Sequence, residues 1–261
     1  MTADGPRSGV SSDESAKGER RRRSPFFHAA LGALTLALFS GFVALGVWQV
    51  ERRAWKLDLI ARVEARIHAA PVAAPGPDRW AELSASDEYR RVRLVGRFDH
   101  ARETFTQATT AYGAGYWTLT PLRTHEGFDV LVNRGFVTSE RRDPASRGAA
   151  APEGETEVVG LMRLSEPHGG FLRANDPAAD LWRSRDVAAI AAARGLTRPA
   201  PYFVDAEAGP DRAGWPKAGL TVVAFRNDHL VYALTWFGLA AMTLAGAAIV
   251  ILRGRSGARD A

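Results

Sequence analysis

Residues 24–50 read SPFFHAALGALTLALFSGFVALGVWQV and residues 230–252 read LVYALTWFGLAAMTLAGAAIVIL, and neither stretch carries a charged side chain. Each is longer than the roughly 20 helical residues needed to cross a hydrocarbon core of ~30 Å. A buried helix of that length in a water-soluble protein would show at least one polar face. The two stretches are therefore expected to be transmembrane helices. They divide the chain into an arm (1–23), a span (24–50), a large middle (51–229), a second span (230–252) and a tail (253–261).

Basic residues set the orientation. Arg20 to Arg23 precede the first span, and Arg253, Arg255 and Arg259 follow the second. Lys and Arg near span ends concentrate on the cytoplasmic side, so both termini are expected there and residues 51–229 across the membrane. Arg52, Arg53 and Lys56 flank the first span on the far side, but a segment this long translocates largely regardless of charge. Arg22-Arg23-Ser24-Pro25-Phe26 resembles a twin-arginine signal. The apolar run is too long for one, however, and it ends in Trp48, Gln49 and Glu51 rather than a small-residue cleavage site. Asp4, Asp13, Glu14 and Glu19 are also unlike an acid-poor mitochondrial transit peptide. The expectation is a multi-pass protein of the bacterial inner membrane with an uncleaved anchor and a periplasmic domain.

The chain has 261 residues and a formal charge of +5, yet residues 51–229 hold 25 basic and 24 acidic side chains. The excess lies in short tails beside apolar runs, where it suits a lipid surface rather than a nucleic acid. The chain has no cysteine, which excludes disulfides, cysteine-ligated metals and a cysteine nucleophile. There is no H-E-x-x-H, no P-loop and no G-x-S-x-G, and the carboxylates form no compact pair, so no enzyme is expected. Gly113-Ala114-Gly115 lacks the third glycine of a dinucleotide site and reads as a loop.

Residues 1–23, rich in Gly, Ser and charge, are expected to be a disordered arm. Trp55, Leu59, Val63 and Ile67 recur at helical spacing, extending the first helix beyond the membrane toward Pro71. Pro71 to Asp78 reads as a linker. Strands are expected over Arg91–Phe98, Phe105–Thr109, Tyr116–Arg123, Phe128–Val137, Val158–Leu164, Tyr202–Asp205 and Thr221–Phe225. Thr124-His125-Glu126-Gly127 reads as a hairpin turn, Val187–Arg194 as a helix stopped by Gly195, and Arg141–Glu157 as a long loop. The fold class is an α+β membrane protein: two transmembrane helices flanking a domain of mostly antiparallel sheet with a few helices.

Two places invite a functional reading. Asn133-Arg134-Gly135 interrupts an apolar strand; a β-bulge with Arg134 turned outward is the plain explanation, and partner recognition by Arg134 the other. His229 stands where the middle domain meets the second span. On a helix it shares a face with Tyr232, Ala233 and Trp236, with Arg226 one turn before it. Interfacial aromatics and polar residues are usual at span ends. An axial haem ligand is the alternative: the imidazole would take the iron, Arg226 a propionate, and Tyr232 and Trp236 the apolar ring.

The order of several short motifs resembles the Surfeit-locus family of cytochrome c oxidase assembly proteins. They are Leu45-Gly46-Val47-Trp48-Gln49 with Arg52 and Trp55-Lys56, Gly96-Arg97-Phe98-Asp99, Gly115-Tyr116-Trp117 leading to Pro121-Leu122, and Leu131-Val132-Asn133-Arg134-Gly135. Asn175-Asp176-Pro177 and Asn227-Asp228-His229-Leu230 with Tyr232-Ala233-Leu234-Thr235-Trp236 complete the series. Many relatives carry Pro and Asn where Arg226 and Asp228 stand here. The resemblance implies an assembly factor that helps build oxidase subunit I, with other assembly factors and membrane lipid as partners. It also implies haem a as cofactor, with His229 as iron ligand; Arg226, Tyr232, Trp236 and Trp48 are expected around it from their own placement at the span ends. A cofactor-free scaffold for nascent oxidase subunits is the alternative. Gly41, Leu45, Trp48 and Arg52 form one helical stripe, which is expected to face the second span with Gly41 at the close approach.

Overall fold

The computed structural model describes residues 25–148, 151–170, 173–209, 214–221 and 225–256. The expected arm and its arginine cluster lie outside these residues, as do the side chain of Arg255, all of Arg259 and the middle of the strand expected at Thr221–Phe225. The chain forms two compact units, one holding residues 25–54 with 227–256 and the other residues 55–226.

In the first unit, α1 (Pro25–Ile67) begins in the apolar run and continues well past it. Its 43 residues would span roughly 65 Å at 1.5 Å per residue, about twice a hydrocarbon core. The helix α3 (His229–Ser256) matches the second run. Both are long and apolar enough to cross a membrane. Thr35, Phe39, Phe42, Gly46 and Gln49 on α1 and His229, Ala233, Trp236, Ala240 and Thr243 on α3 are the partly or fully buried positions of a repeating seam. Both sets follow the 3–4 spacing of helices in lengthwise contact. Phe42 stacks on Trp236 with ring centroids 5.8 Å apart, and Gln49 bonds His229, so the helices run antiparallel.

The seam is one residue away from the expected stripe. A Cβ on Gly41 would meet nothing within 4 Å, whereas one on Gly46 would lie 2.5 Å from the Phe237 ring. Gly46 is therefore the small residue that makes room for the Phe237 ring of α3, and Trp48 points away from the seam, 53% exposed.

The second unit is built on seven strands: β1 (Val72–Ala73), β2 (Arg91–Phe98), β3 (Thr104–Thr110), β4 (Gly113–Thr124), β5 (Asp129–Thr138), β6 (Glu155–Leu164) and β7 (Pro199–Ala206). Their order is β1-β2-β6-β7-β5-β4-β3, with a further pairing of β2 to β4. Five strands thus close a ring, antiparallel except where β5 runs parallel to β7. Closure rests on three residue pairs, Gly96↔Thr124, Arg97↔Arg123 and Phe98↔Leu122. A Cβ on Gly96 would overlap the Arg123 carbonyl, so a side chain there would hold the two strands apart.

Alternation along the strands sends Val92, Leu94, Val130, Val132, Met162, Tyr202 and Val204 into one core. Leu131 and Phe203, on the opposite face, pack with Leu119, Trp182, Val187 and Ile190 beneath the short helix α2 (Val187–Ala193). Asp186 caps α2 by accepting from the Ala189 amide. The expected linker is fastened instead of loose. Val72 and Ala73 pair with β2, and the Pro75 carbonyl accepts from both Trp80 Nε1 and the Tyr202 hydroxyl, at 3.0 and 2.9 Å.

Three other local expectations need correction. Gly113-Ala114-Gly115 opens β4 rather than forming a loop. The loop expected over Arg141–Glu157 contains a 3-10 turn at Pro144–Arg147 and ends where β6 begins at Glu155. The bulge at Asn133-Arg134-Gly135 exists: the register slips between Trp117 and Leu119, and Gly135 takes φ +130°. Arg134, however, turns inward.

Candidate functional site

His229 is the first residue of α3 and is half-buried. Its Nδ1 lies 2.7 Å from Oε1 of Gln49, a residue only 8% exposed at the end of an apolar helix face. A carboxamide oxygen only accepts, so Nδ1 carries the proton and donates it. The other ring nitrogen, Nε2, takes no hydrogen-bond partner among the described residues. Two residues upstream, Asn227 Oδ1 is buried and unpartnered among the described residues. One imidazole nitrogen and one buried acceptor are thus uncommitted where α3 begins.

The other expected site residues distribute unevenly. Tyr232 is 56% exposed, and among the described residues no ring contact joins it to Trp48 or Trp236. Trp236 spends its ring on Phe42 in the seam. Arg226 does not sit one helical turn before His229, because residues 226–228 are not helical and α3 starts at His229 itself. Trp48 and Tyr232 remain the accessible aromatics at this end of the helix pair. Gln49 and Asn227 stand in the sequence only as members of motifs, with no role of their own; the signal for Gln49 is a carboxamide closing an otherwise apolar run.

Farther along the seam, the helices border an apolar groove of about 510 Å³ lined by His28, Leu31, Phe39, Leu244 and Ile251 among others. Among the described residues, no group of three or more His, Asp or Glu could hold a metal ion.

Arg134 belongs to a different arrangement. It lies 3.6 Å from Glu103, 3.3 Å from Nδ1 of His100 and over the Phe98 ring. Arg147 donates to the other oxygen of Glu103 at 2.6 Å, and His100 Nε2 donates to the Pro152 carbonyl at 2.9 Å. Burial pushes the Arg134 guanidinium below its ordinary pKa; Glu103 opposes that and Arg147 adds to it. These contacts clasp the segment after β5 to the ring, which is a structural task.

A model of the SURF1 family matches residues 36–241, from the first apolar run through the His229 segment and into α3. The chain belongs to the SURF1 family. It is similar to human Surfeit locus protein 1, 37% identical over 217 residues that cover 76% of this chain and 70% of that one. The Surfeit locus protein 1 of Xenopus tropicalis is 36% identical over 218 residues, 77% of this chain and 69% of the relative. A SURF1-like protein of Monosiga brevicollis is 35% identical over 246 residues, 88% and 91% of the two chains. In this SURF1 family member, the matched stretch includes both Gln49 and His229, the residues that join the two long helices.

Proposed function

We propose that this protein is an assembly factor for haem–copper cytochrome c oxidase, holding haem a at His229 for insertion into subunit I. The observation that carries the reading is the imidazole whose Nδ1 is committed to Gln49 while Nε2 is left for a ligand. Metal-binding histidines characteristically donate their second ring nitrogen to an orienting group, as His229 does. Haem a as cargo brings an iron that takes an axial imidazole and an apolar tail that water disfavours by about 0.8 kcal/mol per exposed CH₂. Trp48 and Tyr232 supply apolar surface beside that ring, and Arg226 is an auxiliary charge for a propionate. Trp236 acts indirectly, through the seam. The protein resides in the bacterial inner membrane with both termini cytoplasmic and the sheet domain periplasmic, working with oxidase subunit I, other assembly factors and lipid. The role is that of a chaperone and not an enzyme.

The test is the absorbance of full-length protein purified from cells that make haem a. Wild type should carry a Soret band, and His229→Ala should lose or shift it while still accumulating in the membrane. An unchanged spectrum and stoichiometry in His229→Ala would remove the ligand assignment. A second reading, a cofactor-free scaffold, is favoured by the apolar groove between Leu31 and Ile251, which offers a seat to a helix of an oxidase subunit. Wild type without haem under the same conditions would select that scaffold.

A further inference from the structure

We propose that Gln49 is the positioning residue of this site, fixing which nitrogen of His229 faces the ligand. The inference rests on the haem reading for its purpose, but its physical content concerns only two side chains of the free protein.

A neutral imidazole carries one proton, on either nitrogen, and only the other nitrogen can donate a lone pair to a metal. Gln49 Oε1, 2.7 Å from Nδ1, biases that choice. With the oxygen as acceptor, the proton is held on Nδ1, and the ring is fixed in both tautomer and rotation. The opposite tautomer would place a bare nitrogen against the oxygen, and would regain a hydrogen bond only if the Gln49 carboxamide made a half-turn to present its NH₂. Acceptance of the Nδ1 proton also makes Nε2 a better electron donor.

The placement supports a dedicated purpose. Gln49 is the fully buried polar member of an α1 face that also holds Thr35, Phe39, Phe42 and Gly46. Packing alone at this position would be served by an apolar side chain. Because Gln49 belongs to α1 and His229 to α3, the ligand is oriented only when the two spans are paired. Folding of the helix pair and readiness of the imidazole are thereby one event.

The experiment uses the full-length detergent-solubilised protein with labelled histidine. In the absence of haem, ¹⁵N resonance of His229 should show a protonated Nδ1 and an unprotonated Nε2. Gln49→Leu should lose that preference, whereas Gln49→Glu, which keeps an acceptor, should retain it. Added haem a should then bind Gln49→Leu roughly 10-fold or more weakly, the scale typical for loss of a metal ligand's orienting partner. Gln49→Glu should bind with a midpoint potential shifted downward, because a carboxylate donates more strongly. Cross-linking of Phe42→Cys with Trp236→Cys, undiminished by Gln49→Leu, separates positioning from helix packing.

A wild-type ring protonated on Nε2 overturns the proposal, as does Gln49→Leu with unaltered tautomer, spectrum and affinity. Loss of cross-linking in Gln49→Leu also overturns it in favour of a packing role. A wild-type protein with the Nδ1 proton that takes up no haem a upholds the positioning role of Gln49 and overturns the haem reading instead.

Discussion

Asp205 and His229 are both polar groups in buried or half-buried settings, one in the sheet domain and one between the long helices, and their partners differ in kind. Asp205 is 3% exposed, and both its oxygens are occupied. Oδ1 accepts from Asn133 Nδ2 at 2.7 Å and Arg185 at 3.2 Å; Oδ2 accepts from Arg163 at 3.1 Å and Thr221 at 3.0 Å. Arg163 and Arg185 are tied in turn to Glu88 and Glu166. His229 has one nitrogen satisfied and one left over. A saturated buried polar group holds elements together, because any removal strands its partners. A group with one atom held and one atom open has that second atom left for water or a ligand.

The comparison breaks most visibly at Asp205. Asp205→Ala strands the Asn133 amide and weakens the hold on two arginines, and should cost about 3 kcal/mol or more of domain stability. Removing His229 deletes one interhelical hydrogen bond and should cost no more than about 1 kcal/mol. Urea unfolding followed by tryptophan fluorescence measures the first, and membrane accumulation with detergent-phase melting measures the second. Equal stability losses would show that His229 is structural after all.

The division between the two regions also explains what could be read from the sequence. Runs such as Val92 to Phe98 and Val130 to Val137 alternate or concentrate apolar residues, so six of the expected strands appear, Arg91–Phe98 with the expected ends and five with ends displaced by a few residues. The two spans follow from length alone. Ring closure does not, because it depends on Gly96 meeting Arg123, a pairing that no local pattern encodes. The Asp205 network is equally silent, since Asn133, Arg163, Arg185 and Thr221 come together only through strand order. The helix seam was misplaced by one residue because Gly41 and Gly46 both offer a small face in the same apolar run. His229 was legible as a polar residue at a span edge; Gln49 needed its partner to be noticed.

Gly96 sharpens the same contrast within the domain. Gly96→Ala adds one methyl group against the Arg123 carbonyl, and overpacking of this kind costs about 1–3 kcal/mol. The loss should be accompanied by faster amide exchange in Arg97, Phe98 and Leu122, the residues that close the ring. Gly41→Ala, with open space around it and a helical backbone that Ala favours, should not destabilise and serves as the control. Equal effects at the two glycines would mean that closure contributes nothing.

The smallest effect expected is the acid response of the Asp205 network, and its sign is set by the neighbouring carboxylates. Burial by itself raises the pKa of Glu166, but the hydrogen bonds and charge of Arg185, aided by Arg163, outweigh it and hold the group below its ordinary 4.5. A carboxylate depressed in the folded state adds stability that is fully present above pH 4.5 and disappears as pH falls through the folded value. Asp129 has the opposite sign. Burial raises it from 3.8 against the pull of Arg123 and Arg102, and Oδ2 has no partner among the described residues. Its ionised form therefore opposes folding, and that penalty is relieved as pH falls through its raised value. Glu166→Gln should flatten the decline in urea midpoint between pH 5 and pH 3, while Asp129→Asn should steepen it by removing the compensating group. Glu166 is partly open to solvent, at 37% side-chain exposure, so screening keeps its effect below that of Asp205→Ala or Gly96→Ala. A wild-type midpoint that rises on acidification would mean that Asp129 dominates, and that Arg185 holds Glu166 too weakly for the network to act as the acid-sensitive part of the domain.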